Sequence, residues 1–351
     1  MTNYSIRYRS YARPFRRSLT TAHGVWSVRE GVLIELRSLD GKPDVQTRDN
    51  FKDVHQNYGG LGEVAPLPWF GSVTLAEALD FCRSLAGQID DEGIEMIPDR
   101  LPACQFAFES ARRLVWSVSA PARSFLAVPM ASPSRSSLVS SLEISRLLPA
   151  GRASLDALDR ESNDPTYRTY KWKIATESID DELAIFQALR QRLPPKTRLR
   201  LDANGGLSYD DACRWLESCD RLNGLDESVN PADRILGFVE FLEQPLPPTQ
   251  WSQLLHLSQQ FATPIALDES IANLQQLDAA HTQGWSGIYV IKPAIIGSPQ
   301  RLRSLCTAHQ LDTVFSSVFE TAIGQDAGVQ LAQELQTRKR AIGYGLDDWL
   351  C

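Results

Sequence analysis

Three acidic side chains stand at the ends of short apolar segments in the second half of this 351-residue chain. Asp202 ends Leu-Arg-Leu-Asp, Glu243 ends Val-Glu-Phe-Leu-Glu, and Asp268 ends Ile-Ala-Leu-Asp. A single acid in such a position is usually a helix cap or a turn residue. Three acids on neighbouring parallel strands would repel one another unless a cation lay between them. Their hard oxygen atoms suit Mg²⁺, and Zn²⁺ is disfavoured because no histidine or cysteine accompanies them.

Three lysines accompany these acids. Lys171 and Lys173 alternate in Tyr-Lys-Trp-Lys-Ile-Ala, whose aromatic and β-branched residues predict a strand with both lysines on one face. In a central parallel strand, burial and a like-charged neighbour lower the pKa of a lysine, towards a value at which the amine accepts a proton near neutral pH. An edge strand with two solvated lysines is the alternative from this segment alone. Lys292 ends Ile-Tyr-Val-Ile-Lys, so another lysine follows a predicted strand.

These six side chains together predict one chemistry. A base beside a cation that binds a substrate carboxylate can remove the proton α to that carboxylate, and the cation neutralises the enediolate that forms. We therefore predict a metal-dependent enzyme acting on a small carboxylate substrate.

The elements that must position these residues alternate between short strands and helices from about residue 142 onward. Seven predicted strands are Glu143–Leu148, Tyr167–Ala175, Leu199–Asp202, Phe238–Leu242, Pro264–Leu267, Gly287–Ile291 and Asp312–Phe315. Predicted helices include Asp180–Leu193, Tyr209–Cys219, Thr249–Gln260, Asn273–Gln283 and Ser298–His309. This alternation predicts an α/β fold, and the number of units favours a closed (β/α) barrel, whose catalytic groups lie at the C-terminal ends of its strands.

The N-terminal part has a different pattern, which predicts a separate α+β domain over residues 1–125. It contains a predicted strand at Arg29–Arg37, a second strand from Gly60 and helices at Leu75–Leu85 and Pro102–Trp116. The barrel then spans 126–324, and the tail, 325–351, returns to the first domain. The predicted junction is 117–135, and the segments 40–58 and 226–234 are predicted to be long connections. We assign Gly60 and Gly62 to a backbone turn.

The composition excludes several classes of protein. A net charge of −7 argues against a nucleic-acid partner. No apolar run approaches the roughly 20 residues of a membrane helix, and the N-terminus lacks the hydrophobic stretch of a signal peptide. The six cysteines show neither metal-site pairs nor a disulfide-dense pattern, so we expect reduced thiols in a cytoplasmic protein. The five histidines lack ligand-like spacing.

The lysine pair, the three acids and Lys292-Pro293 resemble the enolase superfamily, in its muconate-lactonizing subgroup. Further motifs over nearly the whole chain are similar to those of the o-succinylbenzoate synthase family. They are Arg29-Glu-Gly, Gly62-Glu-Val-Ala-Pro-Leu-Pro68, the helix from Leu101 to Ala111, and Phe315–Gly324. The resemblance implies a modified (β/α)7β barrel with an α+β capping domain completed by the C-terminal tail.

The resemblance also implies a reaction and its residues. The reaction is the Mg²⁺-dependent syn-dehydration of 2-succinyl-6-hydroxy-2,4-cyclohexadiene-1-carboxylate to 2-succinylbenzoate, in menaquinone or phylloquinone biosynthesis, with Mn²⁺ as a possible substitute. Lys173 would be the base, Lys292 would stabilise the enediolate from the other side, and Lys171 would contact the substrate carboxylate and keep Lys173 neutral. The implied metal ligands are Asp202, Glu243 and Asp268, with Asn204 and Glu269 fixing ligands and a lysine beside them.

Three further residues are candidate substrate contacts. Ser316 and Ser317 follow the last predicted strand and could hydrogen-bond the succinyl group, with a simple turn as the alternative. Arg29 is a candidate too, with a structural salt bridge as the alternative. The segment 13–26 is either a lid that excludes water or a surface hairpin.

Two other functions fit parts of the pattern. The same lysines serve racemases of N-acylamino acids and dipeptide epimerases, in which Lys173 and Lys292 would be opposed acid and base partners. A non-catalytic barrel used for binding is the alternative outside enzymes, and the clustering of six charged residues argues against it.

Overall fold

The structure is a computed structural model that describes residues 1–21, 24–40, 59–115, 142–161, 167–224 and 237–345. The predicted junction at 117–135 and the predicted connection at 226–234 lie outside these ranges, as does the predicted connection at 40–58 apart from its first residue. The described residues form an antiparallel sheet with helices and a barrel of parallel strands. Each of the two has a hydrophobic core of its own.

The N-terminal cap is a four-stranded antiparallel sheet in the order β3-β2-β1-β4. Its strands are β1 (Asn3–Thr21), β2 (Gly24–Ser38), β3 (Gly59–Val64) and β4 (Gln88–Asp90). Its helices are α1 (Leu75–Ser84), α2 (Asp91–Glu95) and α3 (Pro102–Val115). The α+β character expected of this region is confirmed, while β1 and the short β4 are additions to the predicted elements.

Two glycines of β3 bring helix α3 directly onto the strand. A Cβ atom on Gly60 would lie 1.8 Å from the Ala111 carbonyl oxygen, and one on Gly62 would lie 2.0 Å from the Ala107 carbonyl oxygen. The assignment of these glycines to a turn was wrong, because they lie within a strand whose partner is a helix backbone at close approach.

The second part is a parallel barrel of eight strands in the order β5 to β12 around the sheet. The strands are β5 (Ile144–Leu148), β6 (Thr169–Lys173), β7 (Arg198–Asp202), β8 (Val239–Glu243), β9 (Ile265–Leu267), β10 (Ile288–Ile291), β11 (Thr313–Phe315) and β12 (Ile342–Gly345). The helices are α4 (Ala153–Glu161), α5 (Ile179–Arg192), α6 (Tyr209–Gly224), α7 (Trp251–Gln260), α8 (Leu274–Thr282), α9 (Pro293–Ile296), α10 (Pro299–His309) and α11 (Ala322–Leu335). A bridge between Ser316 and Gly343 joins the two end strands. The predicted modified (β/α)7β barrel is confirmed.

The eighth strand departs from the expectation that the C-terminal tail completes the cap, as far as residue 345, where the described residues end. Ile342 of β12 pairs with Ile144 of β5, so this part of the tail belongs to the barrel sheet. The reason is hydrophobic burial, since Ile342 and Tyr344 point into the barrel core. The sequence Ala-Ile-Gly-Tyr-Gly is too short and too rich in glycine to predict a strand by itself.

A buried charge network holds the beginning of β12 in the barrel. Arg340 Nη1 donates to Glu240 Oε1 at 2.7 Å, and its Nη2 donates to Asp312 Oδ2 at 2.7 Å. Glu240 also accepts a 2.8 Å hydrogen bond from Arg200 Nε. Because a buried charge is tolerated only when it is paired, this network ties β12 to strand β8 and to the residue that precedes β11.

The cap is joined to the barrel by a second buried carboxylate, Glu63 of β3. It accepts hydrogen bonds from the Thr321 backbone N–H at 2.9 Å and from the Gly324 N–H at 3.0 Å, at the N-terminus of α11. Tyr11 of β1 donates to the same carboxylate. A negative charge at this end of a helix is favourable because the helix dipole and the free N–H groups point towards it.

A third buried acid, Glu320, lies beside this contact. Its carboxylate accepts hydrogen bonds from Ser317 Oγ at 2.8 Å and from the Val318 N–H at 2.6 Å. Burial, with a smaller effect of the nearby Glu63 carboxylate, raises the pKa of Glu320 to about 7. The cost of this ionised, buried carboxylate therefore grows as the pH rises towards and above neutrality.

We predict that Arg340→Ala lowers the free energy of unfolding by about 3–5 kcal/mol, because it leaves buried Glu240 with one of its two arginine partners removed. Urea unfolding followed by circular dichroism measures the change. Arg338→Ala is the matched control, because the exposed Arg338 forms an ion pair with the same Asp312, at the longer distance of 3.5 Å. This substitution should change the unfolding free energy by less than about 0.5 kcal/mol. Equal effects of the two substitutions would contradict the prediction.

We predict that the stability of the Glu320→Gln variant, relative to that of the unmodified protein, increases as the pH rises. The pKa of Glu320 is about 7 in the folded state, against 4.5 for an ordinary glutamate. The stability that protonated Glu320 adds to the folded state is therefore fully present below about pH 4.5 and is lost as the pH rises through 7. The difference in unfolding free energy between variant and unmodified protein should grow by up to about 3 kcal/mol between pH 5 and 8. Exposed Glu217→Gln is the control. A difference that stays constant over this pH range would refute the assignment.

Candidate active site

The strand register brings the predicted site residues to one rim of the barrel. Lys173 of β6 pairs with Asp202 of β7, and Asp202 pairs with Glu243 of β8. Asp268 follows the last residue of β9, and Lys292 follows the last residue of β10. Because the strands are parallel, all five side chains stand at their C-terminal ends, where active sites of barrel enzymes lie.

The acids and two of the lysines are in direct contact. Lys171 Nζ lies 2.9 Å from Asp202 Oδ2 and 2.8 Å from Glu243 Oε1. On the other side of the rim, the ammonium group of Lys292 contacts the carboxylate of Asp268. The three carboxylates are buried, with exposed fractions of 1–4%. The structure thus brings together the charged residues that the sequence predicts to meet, while their catalytic and metal-binding roles stay predictions.

The expected lowering of the pKa in the lysine pair is wrong for Lys171. Burial alone would lower the pKa of Lys171, but Asp202 and Glu243 outweigh this effect and raise it. The sequence places the two lysines close together, but only the fold brings the carboxylates of β7 and β8 into contact with Lys171. Lys171 is therefore a charged partner of the acids.

The pKa values of the acids reflect the repulsion between like charges in a small volume. Burial, and after it the charge of neighbouring Asp202, raise the pKa of Glu243 to about 8 against the opposing effect of Lys171. Burial also opposes ionisation of Asp202, but Lys171 and Lys173 outweigh it and lower its pKa. Neutralisation by a divalent cation would relieve this repulsion, and three carboxylates form a donor set that fits Mg²⁺.

In this structure the three carboxylates form ion pairs with Lys171 and Lys292. Within the described ranges, no group of three carboxylate, thiol or imidazole side chains is close enough to hold an ion as it stands. Lys171 lies between Asp202 and Glu243 and balances part of their charge.

Asn204 and Glu269, the predicted supporting residues, contact each other. Asn204 Nδ2 donates to Glu269 Oε1 at 3.0 Å, and the Asn204 backbone N–H donates to Asp202 Oδ1 at 3.2 Å. Burial, and after it the charge of Asp268, raise the pKa of Glu269 to about 7. The pair therefore links the loops that follow β7 and β9, on either side of the acids.

Strained backbone follows three of the strands that end in site residues. Ala175, Asn204 and Gln244 have φ values of 62°, 46° and 37°, a region that residues with side chains rarely adopt. Such strain persists where the surroundings force it, and it concentrates at functional sites.

The predicted substrate contacts occupy different positions. Ser316 follows β11 at the level of Lys292, and its backbone N–H donates to the Ile291 carbonyl oxygen at 2.8 Å. The hydroxyl of Ser317 donates to Glu320 and accepts from the Phe319 N–H, which is the turn role considered as its alternative.

Arg29, the third predicted contact, is 2% exposed and lies within the cap. Its Nη1 donates to the Pro66 carbonyl oxygen at 2.7 Å, and its guanidinium group lies 5.6 Å from the centre of the Trp26 ring.

Aromatic residues that sequence reasoning did not single out bring the cap to the barrel rim. The Phe70 ring centre lies 4.2 Å from Lys292 Nζ, and both residues line a small cleft beside Asp268. Further along, Phe15 of the β1–β2 hairpin packs edge-on against Phe319 with their ring centres 5.2 Å apart. Trp26 contacts Phe319 as well, at 5.5 Å. The hairpin predicted as a possible lid is therefore seated on the loop that follows β11.

Comparison with known proteins identifies the family. Residues 153–344 match the model of the enolase C-terminal domain-like family. The chain is 35% identical over 345 residues to the o-succinylbenzoate synthase of Thermosynechococcus vestitus, covering 97% of this chain and 92% of that protein. It is 32% identical over 186 residues to the o-succinylbenzoate synthase of Mycolicibacterium smegmatis, covering 52% of this chain and 51% of that protein.

Solved structures agree with these relatives. The o-succinylbenzoate synthase of Thermosynechococcus elongatus BP-1, complexed with Mg in its active site, superposes with a TM-score of 0.78 at 33% identity, covering 98% of this chain and 94% of that one. A dipeptide epimerase from Methylococcus capsulatus has a TM-score of 0.72 at 20% identity, covering 99% and 92%, and it shares the fold. In the part of the chain that the structure describes, no helix is long and apolar enough to cross a membrane. The chain belongs to the o-succinylbenzoate synthase family, a family of lyases within the enolase superfamily.

Proposed function

We propose that this protein catalyses the Mg²⁺-dependent syn-dehydration of 2-succinyl-6-hydroxy-2,4-cyclohexadiene-1-carboxylate to 2-succinylbenzoate. The observation that supports this most directly is the meeting of three carboxylates and three lysines, supplied by the five successive strands β6 to β10, at one barrel rim. The 35% identity to an o-succinylbenzoate synthase over almost the whole chain supports the choice of substrate. We further propose that the enzyme acts in the cytoplasm, in the biosynthesis of menaquinone or phylloquinone.

Asp202, Glu243 and Asp268 are the residues that would hold the metal. They are buried acids on rigid strand ends, and the pKa of Glu243, raised to about 8 by burial and by Asp202, reflects the repulsion that a cation would relieve. When bound, Mg²⁺ supplies positive charge that stabilises the substrate's enediolate. Mn²⁺ prefers the same kind of oxygen ligands and is expected to substitute for it.

Lys173 is the proposed base. Its amine takes the proton from the carbon α to the substrate carboxylate, and the electron pair of that C–H bond passes into the enediolate. The C–O bond to the hydroxyl group then breaks, and the Lys173 ammonium group gives its proton to the departing oxygen, which leaves as water. The electron pair held in the enediolate forms the new C=C bond, the pair of the C–O bond leaves with the oxygen, and the ring becomes aromatic.

The other two lysines supply charge and orientation. Lys292 stands on the opposite side of the rim from β6, and its ammonium group would stabilise the negative charge of the enediolate. Lys171 lies between Asp202 and Glu243, where its raised pKa keeps it charged and able to contact the substrate carboxylate. The Phe70 ring lies over the Lys292 ammonium group and would shield it from water.

We predict that Lys173→Ala lowers the rate of dehydration by roughly 10⁴-fold, at the upper end of the effect of a general base, because the same amine also protonates the leaving hydroxyl. Absorbance of the aromatic product with saturating Mg²⁺ measures the rate, and circular dichroism checks the fold. Lys196→Ala is the matched control, since Lys196 is exposed in the turn before β7.

Near-normal turnover by the Lys173→Ala variant would reject its role as the base. Absence of turnover by the unmodified protein, together with exchange of the α-hydrogen of an N-succinyl amino acid for deuterium, would replace dehydration by racemisation. In that case Lys173 and Lys292 would act as opposed acid and base, as they can on the same rim.

We predict that Asp268→Asn weakens Mg²⁺ binding at least about 10-fold, because it removes a negative charge from the donor set. Isothermal titration calorimetry without substrate measures the Kd. Asp278→Asn, on the exposed face of α8, is the control and should leave the Kd unchanged. A variant at position 268 that binds Mg²⁺ as tightly as the unmodified protein would remove Asp268 from the ligand set.

A further inference from the structure

Gln244 follows β8, the middle one of the three neighbouring strands that lead to the three acids. It follows Glu243 directly, and its side chain is fully buried. Its backbone N–H donates to the Ala266 carbonyl oxygen of β9 at 2.8 Å, and its carbonyl oxygen accepts from the Gly205 N–H at 2.7 Å. The backbone of this one residue therefore joins β9 to the loop that follows β7, the two neighbours of its own strand.

The side-chain amide of Gln244 joins the same loops a second time. Its Oε1 accepts hydrogen bonds from the backbone N–H groups of Asp268 and Ser270, both at 3.1 Å. Its Nε2 donates to the Leu246 carbonyl oxygen and to Ser270 Oγ, both at 2.8 Å. The opposite orientation of the amide would turn Nε2 towards two N–H donors, so the network selects one orientation. Both acceptor and donor sites of this buried amide are used.

The backbone conformation of Gln244 shows that this arrangement is enforced. Its φ of 37° lies in the left-handed region, which disfavours residues with a Cβ atom. Glycine would adopt this conformation without strain, yet a residue with a long amide side chain stands there. The side chain must therefore contribute something that glycine lacks, and the four hydrogen bonds to Leu246, Asp268 and Ser270 are the visible candidates.

We infer that Gln244 is a positioning residue for the metal site: its amide holds the backbone of Asp268 at a set distance from Glu243. This inference rests on the proposed function, in which both acids bind Mg²⁺. Because Mg²⁺ demands near-ideal octahedral geometry, ligands on two different strands must be held at the correct separation before the ion arrives. Substitution of a residue that orients a metal ligand typically lowers metal affinity about 10–100-fold.

The experiment measures Mg²⁺ affinity in the absence of substrate for four proteins. They are the unmodified chain, Gln244→Met, Ser270→Ala and Gln253→Met. Methionine keeps the length of the side chain and removes every hydrogen bond of the amide. Ser270→Ala removes one acceptor of Nε2 and leaves the bonds of Oε1 to the backbone of Asp268 and Ser270 intact. Gln253→Met makes the same chemical change on an exposed position of α7.

We expect the Kd for Mg²⁺ to rise about 10–100-fold in Gln244→Met. Loss of a single hydrogen bond in Ser270→Ala should raise it about 2–10-fold, and Gln253→Met should not change it. The turnover number of Gln244→Met at saturating Mg²⁺ should stay within a few-fold of the unmodified value, because the positioning defect is overcome once the ion is bound.

A lower melting temperature of Gln244→Met with an unchanged Kd would overturn the inference, because the amide would then serve stability alone. If Gln244→Met does not fold, Ser270→Ala decides: an unchanged Kd in that variant overturns the inference as well. An unmodified chain that binds no Mg²⁺ would reject the proposed function together with the inference, whereas tight binding by both the unmodified chain and Gln244→Met would reject the inference alone.

Discussion

Repulsion between buried carboxylates is the constraint on which the rest of this structure depends. Three acids from successive strands meet at one barrel rim, where water cannot screen them. In the described chain, Lys171 balances two of them and Lys292 contacts the third. A rim built in this way has its own counter-charges, and these are the groups that the proposed chemistry needs beside the substrate.

The barrel supports this rim by a second set of charges near the other ends of its strands. Glu240, at the start of β8, is paired with Arg200 and Arg340, while Glu243, at the end of the same strand, faces the site. One strand thus has a fully paired acid near its N-terminal end and an acid under strain at its C-terminal end. This division is typical of barrel enzymes, which place stability at one face and chemistry at the other.

The cap contacts the barrel through the loop that follows β11. Glu63 receives hydrogen bonds from the N-terminus of α11, and Phe15 and Trp26 pack on Phe319. Phe319 has a φ of 64°, so its ring is presented to the cap from a strained backbone. The position of this loop, which includes Ser316 and Ser317, is therefore decided jointly by the cap and the barrel.

Sequence alone determined the elements whose signals are local. Strands and the functional residues at their C-terminal ends are identified by apolar runs that end in Asp202, Glu243 and Asp268 and by the alternating lysines at 171 and 173. These signals are local, because the period of a strand and its terminal residue depend on only a few consecutive positions. The seven predicted barrel strands and the α+β cap follow from such signals.

Only the tertiary structure decided the features that join distant parts of the chain. Strand β12 forms because Ile342 meets Ile144, and Glu63 caps a helix that begins more than 250 residues later. The raised pKa of Lys171 and the four side-chain bonds of Gln244 likewise depend on neighbours from other strands. Burial and pairing energies are set by partners in space, so no pattern within a single segment can predict them.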